Sequence, residues 1–568
     1  MKKNNKKGFT IVELVIVIAV IAILAAVLIP TFSSIIKKAK ISNDTVLAKN
    51  LTTAIATESV TSKPTSMEEV VTKLYNAGFV LENLSPTTED YFYGWDSKNN
   101  QIILISDEYS VVYESATSTP VDVYVATTGE FAQDLANAGY SLYLTTDADA
   151  TTVETTNFIN VDTGNSKLGT LKMTASTATE VTLKGKINNV TVNNPIGSVK
   201  QYASSETLSI EAIKVGYHVY GEIKTVTLTQ GKLVVEQLGK IETLKVDNAI
   251  VDDIDAKVEN KGTITAAQET NGTEINNDTI VKTNNNITIG DYAELVAFRD
   301  QVNSGRHFEN VVVTLTADID ISGRPWTPIG AGDRNTEDTL YFAGTFDGNN
   351  RTITGLTNKG MNIGNIRFGS NSTTPEGAQE VVYGFFGVVR NATIKNLKMA
   401  NVDIDLIKVV NDNNPILGDS VGAVVGYAGN IFANSTVTIE NCSVLSGKIA
   451  GFDGVAGILG RSYATTTTIT NCSNAATVTS PRRAAGILGF ISKKEAVAVR
   501  GLLEDVTLNV NGCTNTGSIS CTANETDYGF TASDSYHDAD QILNGSENIT
   551  NNGTNNNMNG TVTGKKGA

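Results

Sequence analysis

Glu13 is the lone charge in the run Phe9 to Pro30, FTIVELVIVIAVIAILAAVLIP. A carboxylate held in such a run costs about 3 kcal/mol on insertion scales, so its chemistry is to await a positive partner. Asp318, Asp320 and Asp347 could do a second kind of chemistry, because glycan cleavage needs two carboxyl groups converging on one groove. Asp318 and Asp320, however, flank Ile319 at an expected strand end, and Asp347-Gly348-Asn349 reads as a tight turn. They are expected to be solvated turn carboxylates, and no catalytic residue is assigned. Asp147-Ala148-Asp149 and Asp333-Arg334-Asn335 start like calcium loops but lack the sixth-position glycine and the twelfth-position glutamate.

Cys442, Cys472, Cys513 and Cys521 contain no Cys-x-x-Cys pair, and His218, His307 and His537 stand far apart. Neither a disulfide framework nor a metal site is indicated, and no cofactor is expected. The first three cysteines recur once per expected turn of chain and read as a buried ladder of small groups. Arg482, Arg483, Lys493, Lys494 and Arg500 form one basic cluster on an otherwise acidic body. Its usual reading is a solvated face; its functional reading is a polyanion patch.

The elements that position these residues start with the apolar run itself. About 20 residues at roughly 1.5 Å each match a hydrocarbon core of about 30 Å, so Phe9 to Ile29 can span a bilayer. Lys2, Lys3, Lys6 and Lys7 place the short leader in the cytoplasm. No small-x-small cleavage site follows, so the segment is expected to stay with the mature chain. The whole chain of 568 residues carries a net charge of −16. The first 49 residues hold eight lysines and two acids, leaving −22 for the rest. That exterior repels a nucleic-acid backbone, and nucleic acid is not an expected partner.

The lysine-rich leader, Gly8, Phe9, Glu13, the unbroken apolar helix and Pro30 together resemble the class III signal of type IV pilins and pseudopilins. The resemblance runs from the leader to the neighbourhood of Asn50. It implies a prepilin peptidase that cuts between Gly8 and Phe9 and methylates the new amino group of Phe9. It also implies that Glu13 meets the Phe9 ammonium of a neighbouring subunit. Opposite charges in a low-dielectric bundle neutralise each other and fix axial register. Gly8 lets the peptidase approach the backbone, and Pro30 is expected to kink the helix where it leaves the membrane.

From Ser33 to Glu58, Ile35, Ile36, Ala39, Val46, Leu47, Leu51 and Ile55 recur at helical spacing and predict an amphipathic half that packs on a head. Ser66 and Glu69 predict a capping box for a helix ending at Gly78. Strands are expected at Tyr91 to Trp95, Gln101 to Ser106 and Ser110 to Glu114. Val181, Val190, Val199, Leu208, Tyr217, Val226, Val235 and Leu244 then recur at every ninth position. This period predicts a β-solenoid of two nine-residue units per coil; a meander of regular hairpins is the alternative. Gly129 to Leu135 and Gly290 to Leu295 echo each other as helices that open such regions. Phe342 to Ile353, Tyr383 to Gly387 and Ala392 to Leu397 resemble GLUG-motif β-helix domains of bacterial surface proteins. Three glycine-bounded blocks follow, beginning at Val421, Val455 and Ala484.

The expected fold class is therefore α+β joined to all-β. A long N-terminal transmembrane and amphipathic helix with a small pilin-like head precedes parallel β-solenoid domains. The expected limits are 1–8 leader, 9–58 membrane and assembly helix, 59–115 head, 116–289 first solenoid, 290–523 GLUG-like solenoid and 524–568 Asn/Gly-rich tail. The expected function is a type IV pilin-like filament subunit, minor or tip because of its bulk, presenting the solenoid for adhesion. It would sit in the cytoplasmic membrane as a single-pass protein before entering an extracellular filament or the cell surface. Its expected partners are the peptidase, other pilin subunits, the membrane and a surface glycan or host receptor. The alternatives are a pseudopilin that binds cargo in secretion or DNA uptake, and a membrane-tethered carbohydrate enzyme.

Overall fold

The structure is a computed structural model that describes residues 11–59, 63–79, 85–112, 119–331, 340–359, 379–407, 409–411, 414–429, 433–464, 466–481, 483–491, 506–521, 549–551, 557–558 and 562–563. For 11–31 and scattered positions elsewhere it describes the backbone alone. Helix α1, Ile11–Glu58, runs 48 residues without a break, through Pro30. At 1.5 Å per residue it is about 70 Å long. Among the residues whose side chains are described, no helix is long and apolar enough to cross a membrane; the run 11–31 lies outside that set.

Helix α2, Met67–Asn76, starts as its sequence predicts. The Glu69 amide donates to Ser66 Oγ at 3.3 Å, and Glu69 Oε2 accepts from the Thr65 amide at 2.7 Å. Gly78 ends the helix with φ +88°, a conformation that glycine adopts without strain. Strand Phe92–Asp96 pairs antiparallel with Gln101–Ile105 on one side and with Val123–Thr127 on the other. The strand expected at Ser110 to Glu114 is reduced, in the described residues, to one bridge between Ile105 and Val111. Tyr109 turns the chain there with φ +56°.

The sheet continues past residue 115. Val123–Thr127 pairs parallel with Ser141–Leu144, which pairs parallel with Val161–Thr174, and the order runs on through a sheet of 14 strands. Inside that sheet the nine-residue period resolves into two ladders of parallel strands. Val190 faces Leu208, Leu208 faces Val226 and Val226 faces Leu244, so each step of the ladder spans two units of the sequence period. Val181 faces Val199, and Val199 faces Tyr217, in the second ladder. These apolar residues are all buried, as alternate positions of half-buried strands must be. Parallel pairing excludes the hairpin meander here, because consecutive hairpin strands run antiparallel.

The period slips once. Tyr217 faces Leu233 instead of Val235, with a bulge between Gly231 and Leu233. Gly231 holds φ +116°, and a methyl there would overlap the Ile213 carbonyl oxygen. Gly231→Ala is accordingly expected to cost about 2–4 kcal/mol, through backbone strain and displacement of a paired strand. Urea titration of the purified chain checks this; an unchanged midpoint would remove the strain argument.

The helix Tyr292–Val302 opens the second β region, capped by Asp291, whose carboxylate accepts from the Glu294 amide at 2.9 Å. Strands beyond it fall into five sheets, paired parallel except that Val409–Asn411 runs antiparallel to Asn414–Gly422. One stacks Val312–Leu315, Thr345–Asp347, Ala392–Lys395, Thr436–Glu440, Thr466–Thr470 and Val506–Asn511. Another aligns the glycine-bounded blocks, with Val421 facing Val455 and Val455 facing Ala484. Residues 549–551, 557–558 and 562–563 each add a parallel strand to one sheet of this stack. The interior is a column of apolar side chains, with Phe298, Phe342, Phe346, Phe385 and Phe386 packed edge to face at its start.

Candidate assembly site

The described half of α1 has two faces, and they behave differently. Ala48, Leu51 and Ile55 are buried against Met67, Val70 and Leu74 of α2 and Trp95 and Ile102 of the first sheet. Phe32, Ile35, Ile36 and Val46 are each more than half exposed. The expectation that Ile35, Ile36 and Val46 pack on the head is therefore corrected. The helix contacts the head mainly through its last turns, and its middle turns present bare apolar side chains. The cause is geometric: one apolar stripe can meet the head, and the residues around the other side of the cylinder have nothing to meet.

Polar contacts fix how α1 leaves the head. The Asp44 carboxylate is fully buried and accepts four hydrogen bonds. Two come from the Thr87 amide and hydroxyl, each at 2.8 Å, and two from the Thr88 amide and hydroxyl at 3.0 and 2.6 Å. Burial pushes its pKa up, but the four donors outweigh burial and hold it below the usual carboxylate value. The Tyr93 hydroxyl donates to the Asp44 carbonyl at 3.2 Å. The Thr52 hydroxyl accepts from the Ile102 amide at 2.9 Å, satisfying a donor on the outer edge of strand Gln101–Ile105. Lys37 Nζ lies 2.7 Å from Asp107 Oδ2 and above the Tyr91 ring. Lys73 donates to the Glu58 carbonyl at 2.9 Å, capping the end of α1.

The other sequence candidates resolve differently. Arg482, Lys493, Lys494 and Arg500 lie outside the described residues. Arg483 is not a surface cation: its guanidinium is mostly buried, 3.3 Å from Asp453 and 4.1 Å above the Phe490 ring. Arg461 shares Asp453 at 3.0 Å, so this part of the expected polyanion patch is an internal ion-pair network. Asp318 accepts from the Thr352 amide, Asp320 from the Ser322 amide, and Asp347 from the Asn349 amide and the Asn396 side chain. Each carboxylate thus serves a turn or the next strand.

Cys442, Cys472 and Cys513 are buried in successive turns of chain, each thiol donating to the backbone carbonyl two residues earlier. Asn441 and Asn471, which precede the first two, sit at φ +54° and +53°. They stack amide on amide with Asn396, in the left-handed conformation that asparagine tolerates best after glycine. Burial pushes the Cys472 thiol well up, away from the reactive thiolate. All three are expected to resist a thiol reagent such as dithionitrobenzoate in the native chain and to react on unfolding. Rapid labelling of the folded protein beyond the one equivalent that Cys521 can supply would contradict their burial. Among the described residues no group of three His, Cys, Asp or Glu comes together as a metal site.

At the other end, Gly8 and Phe9 lie outside the described residues, and Glu13 and Pro30 fall on the backbone-only part of α1. Residues 3–29 match the Prokaryotic N-terminal methylation motif. The chain carries a prokaryotic N-terminal methylation motif.

Pilin-type similarity extends along the helix and a little beyond. Over 95 residues the chain is 37% identical to a fimbrial protein of Moraxella nonliquefaciens, covering 15% of this chain and 61% of that protein. Over 52 residues it is 57% identical to the type IV wide pilus major component of Thermus thermophilus, covering 9% and 37%. Over 64 residues it is 42% identical to the type IV major fimbrial protein of Dichelobacter nodosus, covering 11% and 40%. The chain thus spans about two fifths to three fifths of the length of these relatives, and the rest of its own length lies outside the similarity. No solved structure matches it.

The pilin signal was legible in the sequence from residue types alone. The bare apolar turns and the Asp44 anchor were not. An apolar stripe was visible at Ile35, Ile36 and Val46, but the sequence does not say which stripe the head covers. Asp44 meets partners 43 and 44 residues away.

Proposed function

We propose that this chain is a type IV pilin-like filament subunit, minor or tip, that carries two β-solenoids outside the cell for adhesion. The observation that carries the reading is the methylation motif at 3–29, continued by a helix whose Phe32, Ile35, Ile36 and Val46 lie bare on the monomer. Bare apolar residues on a long helix are surface that a second helix can cover. On this reading a prepilin peptidase cuts before Phe9, the apolar run holds the chain in the membrane, and Glu13 pairs with the Phe9 ammonium of a neighbour. The solenoid reading is supported by the two-unit steps of the ladder Val190, Leu208, Val226 and Leu244 in the first region and by stacked parallel strands in the second.

The bulk of the β regions favours a minor or tip position, because everything beyond the head, repeated on every subunit, would crowd a shaft. Immunogold labelling with antibodies against the β regions tests this: gold at filament tips or at sparse points is expected, and gold confined to the cell envelope would count against it. Ile36→Asp places a charge on the bare face, outside the apolar cluster that packs α1 on the head. It is expected to reduce recovery in sheared filaments by about tenfold or more, with the melting of the head unchanged. Equal recovery of variant and parent would separate this face from assembly.

A further inference from the structure

Strands Thr436–Glu440, Thr466–Thr470 and Val506–Asn511 lie side by side, parallel and without a register slip. Thr436 faces Thr466, which faces Thr507; Thr438 faces Thr468, which faces Asn509; Glu440 faces Thr470, which faces Asn511. Val437, Ile439, Ile469, Leu508 and Val510 between them point inward and are fully buried. The partly exposed outer face is therefore a three-by-three grid, with about 4.8 Å between strands and about 6.7 Å between positions along each strand. Six of its nine side chains are threonines. Asn509 donates to the Thr468 hydroxyl at 3.3 Å, while the hydroxyls of Thr436, Thr438, Thr466, Thr470 and Thr507 make no hydrogen bond among the described residues.

The first β region builds a similar face from an unrelated period. There Thr207 faces Thr225 and Thr225 faces Thr243, while Ser209 faces Thr227 in the adjoining column. The hydroxyls of Thr225, Thr227 and Thr243 make no hydrogen bond among the described residues either.

We propose that the grid on Thr436–Glu440, Thr466–Thr470 and Val506–Asn511 binds the surface of an ordered, uncharged polysaccharide. Each threonine hydroxyl can both donate and accept, as can each sugar hydroxyl, and the adjacent methyl group covers apolar ring carbons. The one charge within the grid is Glu440; Lys395, beside it on the adjoining strand, lies 3.6 Å from Asp347, so the grid itself offers a polyanion no cation. It holds no aromatic or large apolar side chain, so it lacks the anchors of a protein interface or a lipid surface. A rigid periodic grid is matched by a rigid periodic ligand. Single hydroxyl contacts are weak, and many made together by one ordered surface sum to useful retention. The proposal shares with the filament reading only the premise that this region faces outward.

The test mixes the purified full chain, in detergent, with microcrystalline cellulose and with chitin powder, and measures the fraction that sediments. Retention on at least one solid is expected. The triple variant Thr438→Val, Thr466→Val, Thr470→Val, which keeps shape and strand preference, is expected to lose at least about tenfold in retention. Thr468→Lys, which raises a long side chain above the grid, should lose as much by another route, and circular dichroism of both variants checks folding. No retention of the parent chain on either solid, or undiminished retention of both folded variants, overturns the proposal. So does enrichment in a growing ice front with none on the solids, which would make the grid a surface for ordering water. Mass spectrometry of the same preparation keeps the two readings apart. Binding without a processed N-terminus overturns only the filament reading, and a processed N-terminus without binding overturns only this one.

Discussion

Glu13→Leu is expected to leave the chain inserted in the membrane and to lower its recovery in sheared filaments by on the order of a hundredfold. Leucine makes the apolar run more apolar, so insertion does not suffer. What is lost is the carboxylate that would face the Phe9 ammonium of a neighbouring subunit. Leaving one buried charge without its partner costs about 3–5 kcal/mol, and each 1.4 kcal/mol is a factor of ten. Glu13→Gln separates charge from shape: it keeps a hydrogen-bond acceptor and is expected to recover only a small part of the loss. Comparing membrane and sheared fractions for both variants by immunoblot measures the effect. Normal incorporation of Glu13→Leu would remove the role given to this residue.

Asp44→Ala is expected to loosen the junction between α1 and the head by about 3 kcal/mol or more. The substitution strands four donors from Thr87 and Thr88, two of them backbone amides, in a site closed to water. The same contact gives a pH dependence whose sign follows from linkage. The folded-state pKa lies below the unfolded value of about 3.9, so the carboxylate binds protons more readily in the unfolded chain. Its contribution is complete above that pH and is lost as pH falls through the lower folded value. Thermal unfolding of the parent should therefore lose stability below about pH 4 in part through this group, and the Asp44→Ala chain should lose less over that range. Equal acid sensitivity in parent and variant would show that Asp44 does not contribute to it.

The parts of this molecule that were legible in its sequence are those set by local repetition. The regular spacing of Val181 through Leu244 foretold parallel ladders whose steps span two units everywhere but at Tyr217, because inward positions must carry similar apolar volumes in every turn of chain. The Ser66 and Glu69 capping box was legible for the same reason, since its donors and acceptors lie within one turn of helix. The slip at Gly231 was hidden, because a bulge depends on how one turn of chain sits on its neighbour. The continuity of the sheet from Phe92–Asp96 into Val123–Thr127 was hidden too: the head was expected to end at residue 115, but the hydrogen-bonded ladder does not stop there. Arg483 read as one of five clustered cations, and only the fold reveals that Asp453, from the preceding turn of chain, neutralises it. Its neighbourhood in sequence was basic; its neighbourhood in space is an ion pair and an aromatic ring.

The N-terminal peptide of this protein, isolated from sheared surface filaments and read by mass spectrometry, tests the central claim most directly. The account predicts a peptide that starts at Phe9 with a methylated amino group, present in the filament fraction. A chain that keeps residues 1–8 and is found only in membranes would contradict it.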